Sequence, residues 1–321
     1  MSVTITAQIV DVASLIPSTI PPAEEEKLFL PRVFEQRDVA GFDRDHDHDW
    51  PLPLESDVFR SMLYQFNDLY VARYVWPEGI DGDTTGRHSG IIPTDKVPDT
   101  IKWENALRHT ETVTLGRKSW KYANREEFES CMTKQDHILR TLTMHLYFRT
   151  HATDSLWISC TTQAKQYYFI GGKQYASRPE SAVTARLQSQ RIPILSFTGW
   201  FPGQTWSEFV GEILAIMLGQ LACNFRHEVQ DQEVFLVGFF GCQIFIARGF
   251  FPLSQIQRVH AKGCSAAETF PLEFSRGYDI SRKQDWIEFT QNLQRLLRYL
   301  VNGKAKVGGV RACLQANSAS T

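Results

Sequence analysis

Long stretches of this chain repeat their apolar residues with a helical period, and shorter stretches do so with the period of a strand. Across residues 205–225, Phe209, Ile213, Ile216, Met217 and Leu221 recur every three or four positions and share one helix face. Thr205 and Glu208 stand at the start as a T-x-x-E capping box, with Pro202 and Gly203 just before it. A second helix is predicted over 284–301, where Trp286, Phe289, Leu293, Leu296, Leu297 and Leu300 line one side. Gly303 sits where that helix should stop. Further helices are predicted over 56–75 and over 102–150, the second with a break near Gly116.

Strand-like runs fill much of the rest. Residues 156–170 predict a hairpin ended by Gly171 and Gly172, and strands follow at 181–187 and 192–197. The runs 233–239 and 243–247 flank Gly241 and Cys242 as another hairpin. Residues 1–55 are Pro-rich and acidic and predict an extended arm with few core residues. Residues 76–100 carry enough Gly and Pro for a loop, and 304–321 reads as a disordered tail. The organisation expected is an arm over 1–55, a helical extension over 56–150, an α/β core over 151–303 and the tail.

Composition narrows the classes. Of 321 residues, 43% are apolar and 12% aromatic, ample for a core, and the net charge of −2 gives no global pull toward nucleic acid or an anionic membrane. A local basic groove can hide within such a total. Six scattered cysteines without a C-x-x-C predict reduced thiols in an intracellular protein, cytoplasmic or nuclear. The first residues lack the basic and apolar regions of a secretory signal. The most apolar stretch, 235–251, is interrupted by Gly238, Gly241, Gln243 and Arg248, so no membrane span is expected there.

Two short motifs carry the candidate chemistry. Pro179-Glu180 precedes one predicted strand, and Ser196-Phe197-Thr198 closes the next. With Leu218-Gly219-Gln220-Leu221-Ala222 on the long helix and the strand pair from Val237 to Arg248, this order resembles the PD-(D/E)XK nuclease-like domain of fungal proteins. The resemblance covers under half the chain. It implies a restriction-endonuclease-like mixed central sheet flanked by helices, here with a helical N-terminal extension. In such a site two acids would hold Mg²⁺ and the lysine of E-x-K would steady the attacking water. Here Ser196 stands where the acid is implied, Thr198 where the lysine is implied, and Glu180 replaces the usual Asp.

The candidate site residues are therefore Glu180, Ser196, Thr198 and Gln220, with Glu180 and Glu212 as weak metal ligands. Each has a plainer role: Glu180 a surface acid after a turn, Ser196 and Thr198 hydroxyls satisfying backbone groups, and Gln220 an amide fixing helix to sheet. Trp200 and Trp206, with Trp157, Tyr167, Tyr168 and Phe201, offer apolar ligand contacts or core packing. The run His46-Asp47-His48-Asp49 reads as a solvated linker, and His145, His151 and Asp154 as element-end residues. Basic residues between Arg276 and Arg311, with Tyr278 and Tyr299 interleaved, suggest either a nucleic-acid edge or the solvated face of a helix. No nucleophile elbow, phosphate-binding glycine loop or H-E-x-x-H is present.

The first functional expectation is a catalytically degenerate PD-(D/E)XK-like protein serving as a binding or scaffold module in a fungal cell. A protein partner or small ligand is favoured over nucleic acid, and no membrane is expected. The alternatives are an accessory enzyme of fungal small-molecule metabolism, and a residual metal-dependent nuclease in which the acids have migrated to Glu208 or Glu212. No cofactor is certain, and Mg²⁺ enters only if cleavage survives.

Overall fold

A strand that is apolar on both faces has to be covered on both. Residues 232–240 form such a strand, buried at every position, and the molecule is built around it. The computed structural model describes residues 2–19, 110–115, 129–150, 156–162, 165–200, 204–241, 243–265, 268–279 and 283–318. In chain order the elements are β1 (Ser2–Ile9), α1 (Val12–Leu15), β2 (Thr110–Thr114), α2 (Glu129–Thr150), β3 (Ile158–Thr162), β4 (Gln166–Ile170), β5 (Lys173–Ser177) and β6 (Ser181–Leu187). They continue as β7 (Gln190–Thr198), α3 (Trp206–Phe225), β8 (Gln232–Phe240), β9 (Gln243–Phe251), α4 (Leu253–Lys262), β10 (Thr269–Phe274), α5 (Lys283–Val301) and α6 (Gly308–Ser318).

Eight strands form one mixed sheet in the order β2-β1-β10-β9-β8-β7-β6-β3, and β4 and β5 form a separate ribbon. β7 runs parallel to β8, with α3 as the crossover, and β1 runs parallel to β10, while the other neighbours are antiparallel. The period of two along β8 sends Phe235, Val237 and Phe239 to one core and Val234, Leu236 and Phe240 to the other. The first core is covered by α2, α5 and α6, the second by α3, α4 and the β4–β5 ribbon. This is an α/β protein with a large mixed sheet between two outer layers.

α3 starts as its sequence requires. Thr205 Oγ1 accepts from the Glu208 amide (3.3 Å), and the Glu208 carboxylate accepts from the Thr205 amide (2.9 Å). Among the described residues α3 alone is long and apolar enough to cross a membrane, and 61% of its apolar window is buried between sheet and ribbon. Gly219 lets the ribbon settle on it, because a Cβ there would meet Ser177 Oγ and come within 2.8 Å of Gln166 Cβ.

Several expectations are corrected. Residues 2–9 are a strand inside the main sheet, with Val3 and Ile5 buried, because SVTITAQI alternates apolar and polar residues and finds β10 as its partner. Residues 110–114, inside the stretch 102–150 expected to be helical, are also a strand of that sheet, and among the described residues of that stretch the helix is Glu129–Thr150. The segments on either side of residue 164 do not pair with each other. β3 joins β6, and β4 turns at Gly171 and Gly172, both at positive φ, to pair with β5.

The expected tail contains α6, with Val310 and Cys313 buried. Gln232 accepts from the Gly308 amide (2.9 Å), Asn224 from the Gly309 amide (3.1 Å) and Glu233 from the Lys306 amide (2.7 Å). Side chains distant in sequence thus hold this segment on the sheet. Strand β10 and helix α4 were not expected. The helix expected at 56–75, the loop at 76–100 and the His46–Asp49 run lie outside the described residues.

Candidate functional site

The two motif segments meet. β6 and β7 pair so that Ala182 lies opposite Ser196 and Ser181 opposite Phe197, and the Glu180 amide donates to the Phe197 carbonyl (3.0 Å). The Pro-acid pair and the Ser-Phe-Thr segment therefore share one sheet end, beside the carboxyl ends of the parallel strands β7 and β8. Parallel α/β sheets place ligand crevices at such an end.

What occupies that end is a filled interior. Ser196 Oγ donates to Gln220 Oε1 (2.6 Å), and both residues are 0% exposed. Gln220 Nε2 has no hydrogen-bond partner among the described residues. Thr198 is buried, and its hydroxyl reaches only the adjacent Gly199 carbonyl, at 3.5 Å. Gly238 makes room for it across the β7–β8 pair, since a Cβ there would stand 2.5 Å from Thr198 Cγ2.

Beyond Thr198 the chain is clamped. Gln135 on α2 accepts from the Trp200 amide (3.1 Å) and donates to the Trp200 carbonyl (3.3 Å). Gly199 permits that approach, because a Cβ on it would lie 2.7 Å from Gln135 Oε1. The Trp200 ring, 2% exposed, packs on Phe240 (5.5 Å), and Phe240 also meets Trp206 (5.4 Å) and Phe209 (5.1 Å). These rings close the sheet end with apolar area.

Trp200 and Trp206 meet through Phe240, while the other described aromatics named as ligand contacts or core packing lie elsewhere. Trp157, 60% exposed, lies against Tyr147 and Phe148, and Tyr168 stacks inside the ribbon on Tyr175 (5.7 Å). Tyr167 faces outward from the ribbon, and Phe201 lies outside the described residues. Three of the late basic residues are matched by acids: Arg276 with Asp285 and Glu288 (2.6 Å each), Arg311 with Glu228 (3.3 Å) and Lys306 with Asp231 (3.5 Å). His145 is half-buried on α2, while His151 and Asp154 lie outside the described residues.

Glu212, the migrated-ligand candidate on α3, accepts from Gln204 Nε2 (2.9 Å). Among the described residues no three His, Cys, Asp or Glu side chains converge. One carboxylate, Glu180, on the segment paired with β7, and two hydroxyls, Ser196 and Thr198, are a poor donor set for Mg²⁺, which is bound through carboxylates and phosphates in octahedral geometry. The residues present do not fit that ion.

A polar cluster missed in the sequence lies on the opposite face of β6. Ser181 Oγ donates to Asp136 Oδ1, and Arg140 Nε stands 2.8 Å from Asp136 Oδ2. Burial holds the Asp136 carboxyl above the ordinary carboxylate range, against the opposing pull of Ser181 and Arg140. Nearby, burial pushes the half-buried Cys160 thiol up to about 12, which favours its protonated form. Nothing but its polarity marked Asp136 on the helical stripe of α2.

Fold and site together define an α/β protein with a mixed eight-stranded sheet whose candidate catalytic end is filled by its own side chains. No protein-family model matches the chain, and no curated protein matches it significantly.

Proposed function

We propose that this protein is a catalytically degenerate PD-(D/E)XK-like protein of restriction-endonuclease-like fold, acting as a binding or scaffold module in a fungal cell. The observation that carries the reading is the hydrogen bond of 2.6 Å from Ser196 to Gln220, sealed at zero exposure where the motif would place an acid facing metal. An uncharged pair in that place supplies neither metal affinity nor a base. Support also comes from connectivity: the Pro-acid segment leads into β6, the Ser-Phe-Thr segment ends the adjacent β7, and α3 carries the chain over to a parallel β8.

The test is cleavage of labelled single- and double-stranded DNA and RNA with Mg²⁺ or Mn²⁺, beside a Glu180→Ala control. The expected result is no metal-dependent cleavage by either protein. Cleavage that is lost on Glu180→Ala would overturn the reading and restore Glu180 as a working ligand.

A further inference from the structure

The β4–β5 ribbon lies outside the main sheet and buries only one of its faces. Gln166, Tyr168 and Ile170 point inward onto α3, while Tyr167 and Phe169 point outward, 46% and 43% exposed. Alternation puts Lys165 on the same outer face, and its Nζ lies 5.1 Å from the Tyr167 ring centroid. The ladder pairs Gln166 with Ser177, so the next step brings Arg178 beside Lys165. Across from the two rings stand Ala176 and Gln174, which are too small or too polar to cover them. At the far end His260 of α4 packs on Phe169 (5.9 Å), and Lys262 ends the same helix.

The charge of this surface departs from that of the whole chain. Residues 165–178 and 253–262 contain no Asp or Glu, in a protein whose net charge is −2. Arg258 is taken up by Glu268 (2.6 Å), whereas Lys165, Arg178 and Lys262 have no acidic partner among the described residues. The surface is thus a strip with Lys165 and Arg178 at one end, two outward rings beyond them, and the carboxyl end of α4, with Lys262, beside the turn at Gly171. The rings are about 6.6 Å apart along the strand, far enough for each to take its own base.

We propose that this outer face of the ribbon, with the end of α4, binds single-stranded nucleic acid. Bases stack on Tyr167 and Phe169, phosphates pair with Lys165, Arg178 and Lys262, and the Gln174 amide lies within the same strip for base edges. Ring stacking tolerates any base, so recognition is broad in sequence and selective for unpaired strands, because a duplex hides its base faces. A lipid surface fits less well, since two half-exposed rings among lysines and a glutamine offer little area to sink below the headgroups. The inference does not rest on the nuclease-like reading, because no residue of the strip belongs to the β6–β7 site.

The test is fluorescence anisotropy of short labelled oligothymidylate, oligouridylate and a duplex with the full chain, in EDTA so that binding is read apart from cleavage. Co-sedimentation with phosphatidylcholine vesicles, with and without phosphatidylserine, runs beside it. Single strands are expected to bind more tightly than duplex. Tyr167→Ser with Phe169→Ser is expected to weaken them by about tenfold or more. Lys165→Glu with Arg178→Glu is expected to weaken binding and flatten its salt dependence. All four positions are exposed, so circular dichroism should show each variant folded. The proposal is overturned if single strands do not bind, if both variants bind like the parent, or if anionic vesicles bind and oligonucleotides do not.

Discussion

The sealed end of β7 and the outer face of the β4–β5 ribbon lie on two sides of α3, and they divide the roles that a single active site would combine. At β7 the motif position is buried and uncharged, held by the Ser196–Gln220 hydrogen bond with the Trp200 ring packed nearby on Phe240. On the ribbon the rings are half exposed and the charges unmatched among the described residues. The first region is buried core that holds β7 to α3. The second contributes little to the fold and presents chemistry to a partner. The same residue types, aromatic and hydroxyl, thus carry opposite meanings according to what covers them.

The sharpest way to break this division is to cut the plug. Trp200→Ala is expected to cost about 3–5 kcal/mol, the range for a buried large aromatic, read by urea denaturation. A smaller effect separates hydrogen bonding from packing. Ser196→Ala alone leaves the buried Gln220 oxygen unpaired and is expected to cost about 1–3 kcal/mol, whereas Ser196→Ala combined with Gln220→Leu should come close to the parent. A double variant as destabilised as the single would show that the pair organises more than itself. Thr205→Ala removes the cap of α3 and is expected to lower stability by about 0.5–2 kcal/mol. On the ribbon, Tyr167→Ser is expected to stay within roughly ±0.5 kcal/mol of the parent while changing what the surface binds.

The pH dependence bears on the other face of β6. The folded Asp136 carboxyl binds its proton more tightly than the unfolded one does, because burial disfavours its charge. Its contribution is therefore fully present below the ordinary Asp value and is lost as pH rises through the raised native value. Thermal melting across that window, compared with Asp136→Asn, is expected to show a flatter profile for the variant.

Much of the architecture was legible. The T-x-x-E box located the start of α3, and the apolar stripe with Gly303 located α5, because both signals are local. The strands expected at 181–187 and 192–197 are both observed, and they pair with each other. What was missed depends on distant partners. β1 is a strand because β10 lies beside it, and α6 stays on the sheet through Asn224, Gln232 and Glu233. The Gln135 clamp on Trp200 joins residues 65 positions apart and has no sequence signature. Which aromatics point inward, like Trp200 and Tyr168, and which outward, like Trp157 and Tyr167, depends on strand phase and neighbours that composition does not carry.

The most direct measurement is thermal melting of Ser196→Glu, with and without Mg²⁺. If the position is sealed core, an unpaired carboxylate there should cost about 3–5 kcal/mol, and Mg²⁺ should not restore it. A variant as stable as the parent, whose melting temperature rises with Mg²⁺ concentration, would mean that the site is open and ready for metal, and would contradict the sealed, degenerate reading.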